Sequence, residues 1–239
     1  MNVVKQLAAV TCTLGLLLTI GTTAMAHDGG DILVRVGAGT VFTNTDSDAV
    51  TGIPDGVDNA RVDVDDNTQL SLTATYMMSE HLGFELLAAT PFSHFITGDE
   101  QLDGVDIGKT KHLPPTLTAQ WNFGRKDARF NPYVGLGFNY TIFFDETVSQ
   151  DLIDTLNTLP TVAGLGGVNS VDMDLSDSFG LAGVVGMDVM VAENIFINAA
   201  LWYICIETEA TLKTDLGTTH KSDVTLDPLV FNLAVGFTF

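Results

Sequence analysis

The sequence predicts an eight-stranded antiparallel β-barrel of the membrane-spanning kind. Three observations predict it. Apolar side chains recur at every second position over eight separate stretches, the signature of strands with one oily face. The chain stops on such a stretch, at Phe239, with no polar tail. Its first residues read as an export signal.

The two ends frame the fold. Residues 1–26 carry Lys5 near the start, an apolar stretch from Leu7 to Ile20, and the small-residue pattern Ala24-Met25-Ala26. That apolar stretch is short for a membrane helix and fits a cleavable signal peptide, with the mature chain starting at His27. Export out of a Gram-negative cytoplasm to the outer membrane follows as the expectation. Residues 27–239 then form one domain. At the far end Phe231, Leu233, Val235, Phe237 and Phe239 share one face. They look like the C-terminal signal read by the outer-membrane barrel assembly machinery. The last core strand of a soluble β-protein would alternate in the same way.

Composition narrows the choice. Ten Lys and Arg against thirty Asp and Glu give a net charge of −20, which argues against a nucleic-acid partner. After residue 26 no apolar run is long enough to span a bilayer as a helix, and the best candidate, 181–192, is cut by Asp188. A chain that spans lipid without helices must close its sheet, because an open edge would leave backbone groups unpaired in hydrocarbon. Cys12 lies in the signal and leaves only Cys205. Neither an intrachain disulfide nor a thiolate metal cluster is expected, and no cofactor.

The strands follow in order. The first, 31–42, sets Ile32, Val34, Val36 and Ala38 against Arg35, Gly37, Gly39 and Val41. The second, 67–77, sets Leu70, Leu72, Ala74 and Tyr76 against Gln69, Ser71, Thr73 and Thr75. The third, 82–92, opposes Phe84, Leu86 and Ala88 to Glu85, Leu87 and Ala89. The fourth, 113–123, opposes Leu117, Ala119, Trp121 and Phe123 to Thr116, Thr118, Gln120 and Asn122. The fifth, 132–144, carries Val134, Leu136, Phe138, Tyr140 and Ile142 opposite Gly135, Gly137, Asn139 and Thr141. The sixth, 178–190, carries Phe179, Leu181, Val185 and Met187 opposite Gly180, Ala182, Val184, Gly186 and Asp188. The seventh, 194–208, carries Ile197, Ala199, Leu201 and Tyr203 opposite Asn198, Ala200, Trp202, Ile204 and Ile206. The eighth is 224–239.

A soluble barrel also alternates, so the less oily face decides. It is mostly Ser, Thr, Gly, Ala, Asn and Gln, where a water-exposed face would carry Lys and Glu. Small uncharged residues suit the inside of a narrow barrel, so the oily face looks out into lipid. Tyr76, Trp121, Phe123, Tyr133, Phe237 and Phe239 near strand ends are assigned to the interfacial girdles. Short connections near Ser79-Glu80, at 124–131 and at 191–193 belong in the periplasm; long ones at 43–66, 93–112, 145–177 and 209–223 belong outside the cell. Charge splits the same way. The first long loop holds seven Asp against Arg61, while Arg125, Lys126 and Arg129 share a short turn. The acidic loops keep the surface solvated or bridge divalent cations to lipid headgroups; their spacing is not that of an EF-hand.

Several longer motifs resemble the outer membrane protein W (OmpW) family. They are Asn67-Thr68-Gln69-Leu70 leading to Thr75-Tyr76-Met77, 85–92, His112-Leu113-Pro114-Pro115-Thr116-Leu117 with Gln120-Trp121, and Pro132-Tyr133-Val134-Gly135 with Asn139-Tyr140. Trp202-Tyr203 and Leu226-Asp227-Pro228 through Phe239 complete the likeness, which covers nearly all of 27–239. Cys205 and Leu229 depart from it: the family often has Asp after Trp-Tyr and an aromatic after Asp-Pro. The resemblance implies a passive route for small hydrophobic molecules, as in the AlkL-type uptake barrels, with release sideways through the wall. A structural or adhesive barrel with a sealed core, or a surface receptor, is the alternative. Outer-membrane lipids and hydrophobic solutes are the expected partners.

Site residues follow from position along the inward face. Arg35, Glu85 and Asp188 lie near the periplasmic ends of their strands, and buried charges must pair. They are expected to form a polar floor that stops apolar cargo. Leu87 and Trp202 point inward above them, near Val41, Phe143 and Ile204 by register, and are assigned to a constriction; core filling accounts for them as well. Pro91, Pro114 and Pro115 cannot donate to a ladder, so they terminate pairing or weaken the wall for a lateral exit. A short helix is expected over 151–159. His94 and His112 are placed to approach each other. No nucleophile or metalloprotease motif accompanies them, so no enzymatic activity is expected.

Overall fold

A computed structural model describes residues 27–124 and 128–239; the predicted signal peptide, and Arg125 and Lys126 of the basic turn, lie outside them. In chain order the strands are β1 (Ile32–Phe42), β2 (Asp46–Ser47), β3 (Ala60–Val64), β4 (Asn67–Met77), β5 (Leu82–Ala89), β6 (Phe92–Glu100) and β7 (Asp106–Leu113). Next come β8 (Thr116–Asn122) and β9 (Phe130–Val148), helices α1 (Gln150–Asn157) and α2 (Pro160–Gly164), and β10 (Val171–Leu175). The chain closes with β11 (Ser178–Ala192), β12 (Ile195–Ile204), β13 (Glu207–Thr214), β14 (Thr219–Thr225) and β15 (Leu229–Thr238).

Eight of these strands form a closed antiparallel barrel. The ring runs β1-β4-β5-β8-β9-β11-β12-β15 and returns to β1. Val34 pairs with Phe237 across the seam, and Ile32 and Phe239 exchange backbone hydrogen bonds of 3.0 Å in each direction. No edge is left in lipid, which satisfies the demand that hydrocarbon makes on backbone groups.

The wall obeys the period of two throughout. Leu72, Leu86, Leu117, Leu136, Phe138, Leu181, Val185, Leu201 and Leu233 are exposed on the outside. On the opposite parity, Thr73, Glu85, Thr116, Thr118, Gln120, Asn139, Asp188, Asn198 and Asn232 are buried in the bore. The outward apolar belt is the lipid contact surface of an outer-membrane barrel. Tyr76, Trp121, Phe123, Phe237 and Phe239 are exposed near its short-turn end. Tyr133 is a correction: it is only 2% exposed and points into the bore. A Cβ at Gly186 would collide with its ring, so the glycine on β11 makes room for the aromatic on β9.

Above the belt the long connections are not plain loops. β6, β7 and β3 continue the barrel sheet outward beside the upper half of β9, and β10, β13, β14 and β2 form a second sheet. Together they build a crown. Ser149 caps α1, its hydroxyl accepting from Leu152 N, and Leu152 is buried under the helix. The predicted helix at 151–159 is therefore present, shifted slightly toward the N-terminus. Asp227 sits where crown strand β14 hands over to wall strand β15. Its φ of 32° is in the left-handed region, and its carboxylate accepts from Tyr203 Oη (3.0 Å) and Ile206 N (3.2 Å). Short polar residues that bond locally tolerate that conformation.

Candidate functional site

The bore divides into layers. At its short-turn end the strands bring Arg35, Glu85 and Asp188 together. Arg35 lies opposite Thr73 on β4 and Gly236 on β15, and its long side chain crosses the lumen. Nη1 meets Glu85 Oε2 at 2.6 Å and Nη2 meets Asp188 Oδ2 at 2.7 Å. Nε also donates to Asp188 Oδ1 at 3.2 Å, so the Asp188 pair is bidentate. All three side chains are almost fully buried.

Sequence reasoning missed the groups that complete this cluster. Thr75 Oγ1 accepts from Arg35 (2.6 Å) and donates to Glu85 (2.8 Å). Asn198 Nδ2 donates to Asp188 Oδ1 at 2.7 Å and lies 2.9 Å from Tyr133 Oη. His27 Nε2 reaches Asp188 Oδ2 at 3.0 Å, and its ring stands edge-on to Phe196. The Arg35 guanidinium lies 5.3 Å from the Phe196 ring centre and 5.5 Å from that of Tyr133, within cation–π range. Thr75, Tyr133 and Asn198 were legible as inward positions by parity. His27 precedes the first strand, and nothing in an alternation pattern signals that it folds under the barrel.

Higher up, the lining becomes apolar. Leu87 and Trp202 line one small cavity with Ala88, Ala89, Phe92, Pro114, Ile204 and Val230, and the hydrogen-bonded pair Ser71 and Asn232 is also part of its lining. Val41, Phe143, Ile204 and Ile206 belong to the same buried cluster. Beside this cavity the wall changes partners. Pairing of β5 with β8 ends at Leu87 and Thr116, and pairing of β6 with β7 starts at Phe92 and His112. Residues 88–91 on one side and Pro114-Pro115 on the other lie between those ladders.

Above Trp202 the crown encloses a larger cavity of about 60 Å³. Val41, Val62, Ile96, Phe143, Leu175 and Leu226 are among its walls. His94 and His112 line it too, with Nε2 atoms 3.0 Å apart. His94 Nδ1 donates to the Asp65 carbonyl at 2.6 Å, which leaves its Nε2 as the acceptor; His112 Nε2 must then be the donor. At this height the outside of the wall carries the exposed ion pair Lys111–Asp145 (3.0 Å), so the histidines sit above the lipid belt. Burial holds His112 far below the ordinary histidine range, at about 3, with His94 beside it pushing the same way. Burial lowers His94 as well, against the opposing pull of Asp65 and Asp66.

A closed eight-stranded barrel with an oily exterior, a charged cluster at one end of its bore and an apolar cavity toward the other defines a small outer-membrane β-barrel. The chain belongs to the OmpW family, whose model matches residues 28–239. It is 44% identical over 95% of its length to outer membrane protein W of Vibrio cholerae, covering 98% of that protein. The crystal structure of OprG from Pseudomonas aeruginosa superposes with a TM-score of 0.77 at 36% identity, over 90% of this chain and 99% of that one. The solid-state NMR structure of outer membrane protein AlkL in DMPC bilayers shares the fold, with a TM-score of 0.61 at 19% identity over 94% and 97% of the two chains.

Proposed function

We propose that the protein is a passive conduit for small hydrophobic molecules, which enter the crown cavity from outside the cell and leave sideways through the barrel wall. The observation that carries this reading is the crown cavity. Its lining is dominated by Val, Ile, Leu and Phe, and it stands directly over Leu87 and Trp202. Apolar surface held open in this way lowers the cost of taking an oily solute out of water.

In this reading Leu87 and Trp202 form the constriction that excludes water and ions. The cluster of Arg35, Glu85 and Asp188 is the floor that denies apolar cargo a straight path, because desolvating those charges is costly. The seam at 88–91 and Pro114-Pro115 is the exit, since proline supplies no N–H to bridge it. The outward face of β15, with Phe231, Leu233, Val235, Phe237 and Phe239, addresses the barrel assembly machinery before it meets lipid.

The test compares cells lacking the protein with cells carrying wild type, Trp202→Ala, or Glu85→Ala plus Asp188→Ala. Loss of uptake of a hydrophobic solute in the deletion, and higher single-channel conductance of Trp202→Ala in planar bilayers, are expected. Unchanged uptake in the deletion sinks the conduit. Unchanged folding and uptake in the double variant sinks the floor. Unaltered conductance of a correctly folded Trp202→Ala counts against the constriction.

A further inference from the structure

Of the buried polar side-chain atoms that find no partner among the described residues, one on Trp202 and one on His112 belong to side chains that line the apolar cavities. Trp202 is 1% exposed, and its indole Nε1 finds no acceptor among the described residues. His112 is 3% exposed, and its Nδ1 is likewise buried without a partner. Because His112 Nε2 donates to His94, its Nδ1 is an acceptor, and Trp202 Nε1 can only be a donor. Phe92 links the two places: it stacks on His112 with ring centres 5.4 Å apart and lines the small cavity with Trp202.

A channel meant only for hydrocarbons gains nothing from such groups. A buried N–H without an acceptor is destabilising, and a phenylalanine would fill much of the same space without that cost. Tryptophan in an apolar core normally finds a partner for its N–H. An acceptor carried by the cargo would gain a hydrogen bond there that a hydrocarbon cannot make.

Resting on the conduit reading, we infer that the preferred cargo is a neutral amphiphile, an apolar chain carrying one hydroxyl or carbonyl oxygen, which accepts a hydrogen bond from Trp202 Nε1 at the constriction. A hydroxyl-bearing cargo can also donate to His112 Nδ1 on its way through the crown. His112 stays neutral throughout the physiological range because burial holds its protonation near 3, so it remains an acceptor there. A site built to complete a hydrogen bond discriminates against an analogue that lacks the group, because its own polar atom then stays unpaired.

The probes are 1-octanol and n-octane, matched in chain length. Trp121 faces lipid and is replaced by Phe, so that the one remaining indole of the two in the sequence is that of Trp202. In the ¹⁵N-labelled protein, 1-octanol should move the Trp202 indole proton downfield and saturate. n-Octane should not move it downfield. The alcohol should bind roughly five-fold more tightly than the alkane, as one net hydrogen bond allows, and Trp202→Phe should abolish that preference. Equal affinity for the two probes with no downfield shift overturns this inference and leaves the conduit standing. Binding of neither probe removes the conduit itself. If Trp202→Phe fails to fold, the shift and the affinity ratio in the tryptophan-bearing protein still decide.

Discussion

Two kinds of ion pair in this molecule separate what charge does in the bore from what it does on the surface. Arg35 and Asp188 are buried, bidentate and braced by His27 and Asn198. Lys111 and Asp145 are about half exposed, at 45% and 63%. Removing one partner of a buried pair strands the other charge, so Asp188→Ala should cost about 3–5 kcal/mol. Removing an exposed partner leaves a charge that water solvates, so Lys111→Ala should cost about 0–1 kcal/mol. Urea unfolding of the two variants in lipid vesicles measures both. Equal losses would mean that the bore cluster is hydrated and is not a sealed layer. The charges themselves were visible in the sequence, as ionisable residues at inward parity on strands that otherwise avoid them. Tyr133 was misread at this same scale. Its odd number put it with Gly135, Gly137 and Asn139 on the inward face, but nearness to a strand end suggested a girdle. Parity is imposed by the pleat, whereas the girdle is only a tendency, so the pleat prevails.

At the scale of elements, the wall strands could be read and the crown strands could not, for a physical reason. Within the belt the oily face looks out. Above it the surroundings are water, and the pattern changes sign. On β7 the inward residues are Ile107, Thr110 and His112, while Lys109 and Lys111 face out. A reading that follows one phase along the chain loses the signal at that interface and registers a loop. β12 and β13 break at Cys205-Ile206 and β14 and β15 at 226–228, where the chain changes partners: β12 and β15 pair within the barrel, and β13 and β14 pair within the second sheet. The inverted pattern also makes the crown sensitive to acid. In an unfolded chain His112 takes up a proton near pH 6.5; in the crown it does so near 3, and His94 is lowered too. Between those values the unfolded crown binds more protons than the folded one, so acid favours opening. The stabilisation is complete above about pH 6.5 and is lost progressively as pH falls toward 3. Protection factors of the β6 and β7 amides, corrected for intrinsic exchange, should fall between pH 7 and 4.5. His112→Phe should flatten much of that dependence, leaving the part due to His94, which faces Asp65 and Asp66. Protection that is constant with pH would show that water already reaches the pair.

For the whole molecule, every functional inference depends on which side of the wall meets hydrocarbon. The sequence settled this through chemistry more than through periodicity, since alternation alone fits a soluble barrel. What decided it was that the less oily face is small and uncharged, as a crowded bore requires. Leu136 gives a sharp test. It lies midway along the wall portion of β9, opposite Ala119 on β8 and Gly183 on β11, and is 77% exposed on the outside. In water such a leucine would tolerate arginine at little cost. In the middle of a bilayer the charge must be dragged through hydrocarbon, so Leu136→Arg should lower stability by about 2–4 kcal/mol. Leu229 is also exposed but lies at the upper rim, where β15 meets Tyr203 of β12 and Phe42 of β1. Its side chain can reach headgroups and water, so Leu229→Arg should cost about 0–1 kcal/mol. Folding into vesicles at graded urea measures both, and the difference between the two sites carries the argument because composition changes identically in each. A steep cost at Leu136 with little at Leu229 reports depth in a membrane. Equal small costs would put the oily face in water, and the apolar cavity above Trp202 would then have to be read as the core of a soluble barrel.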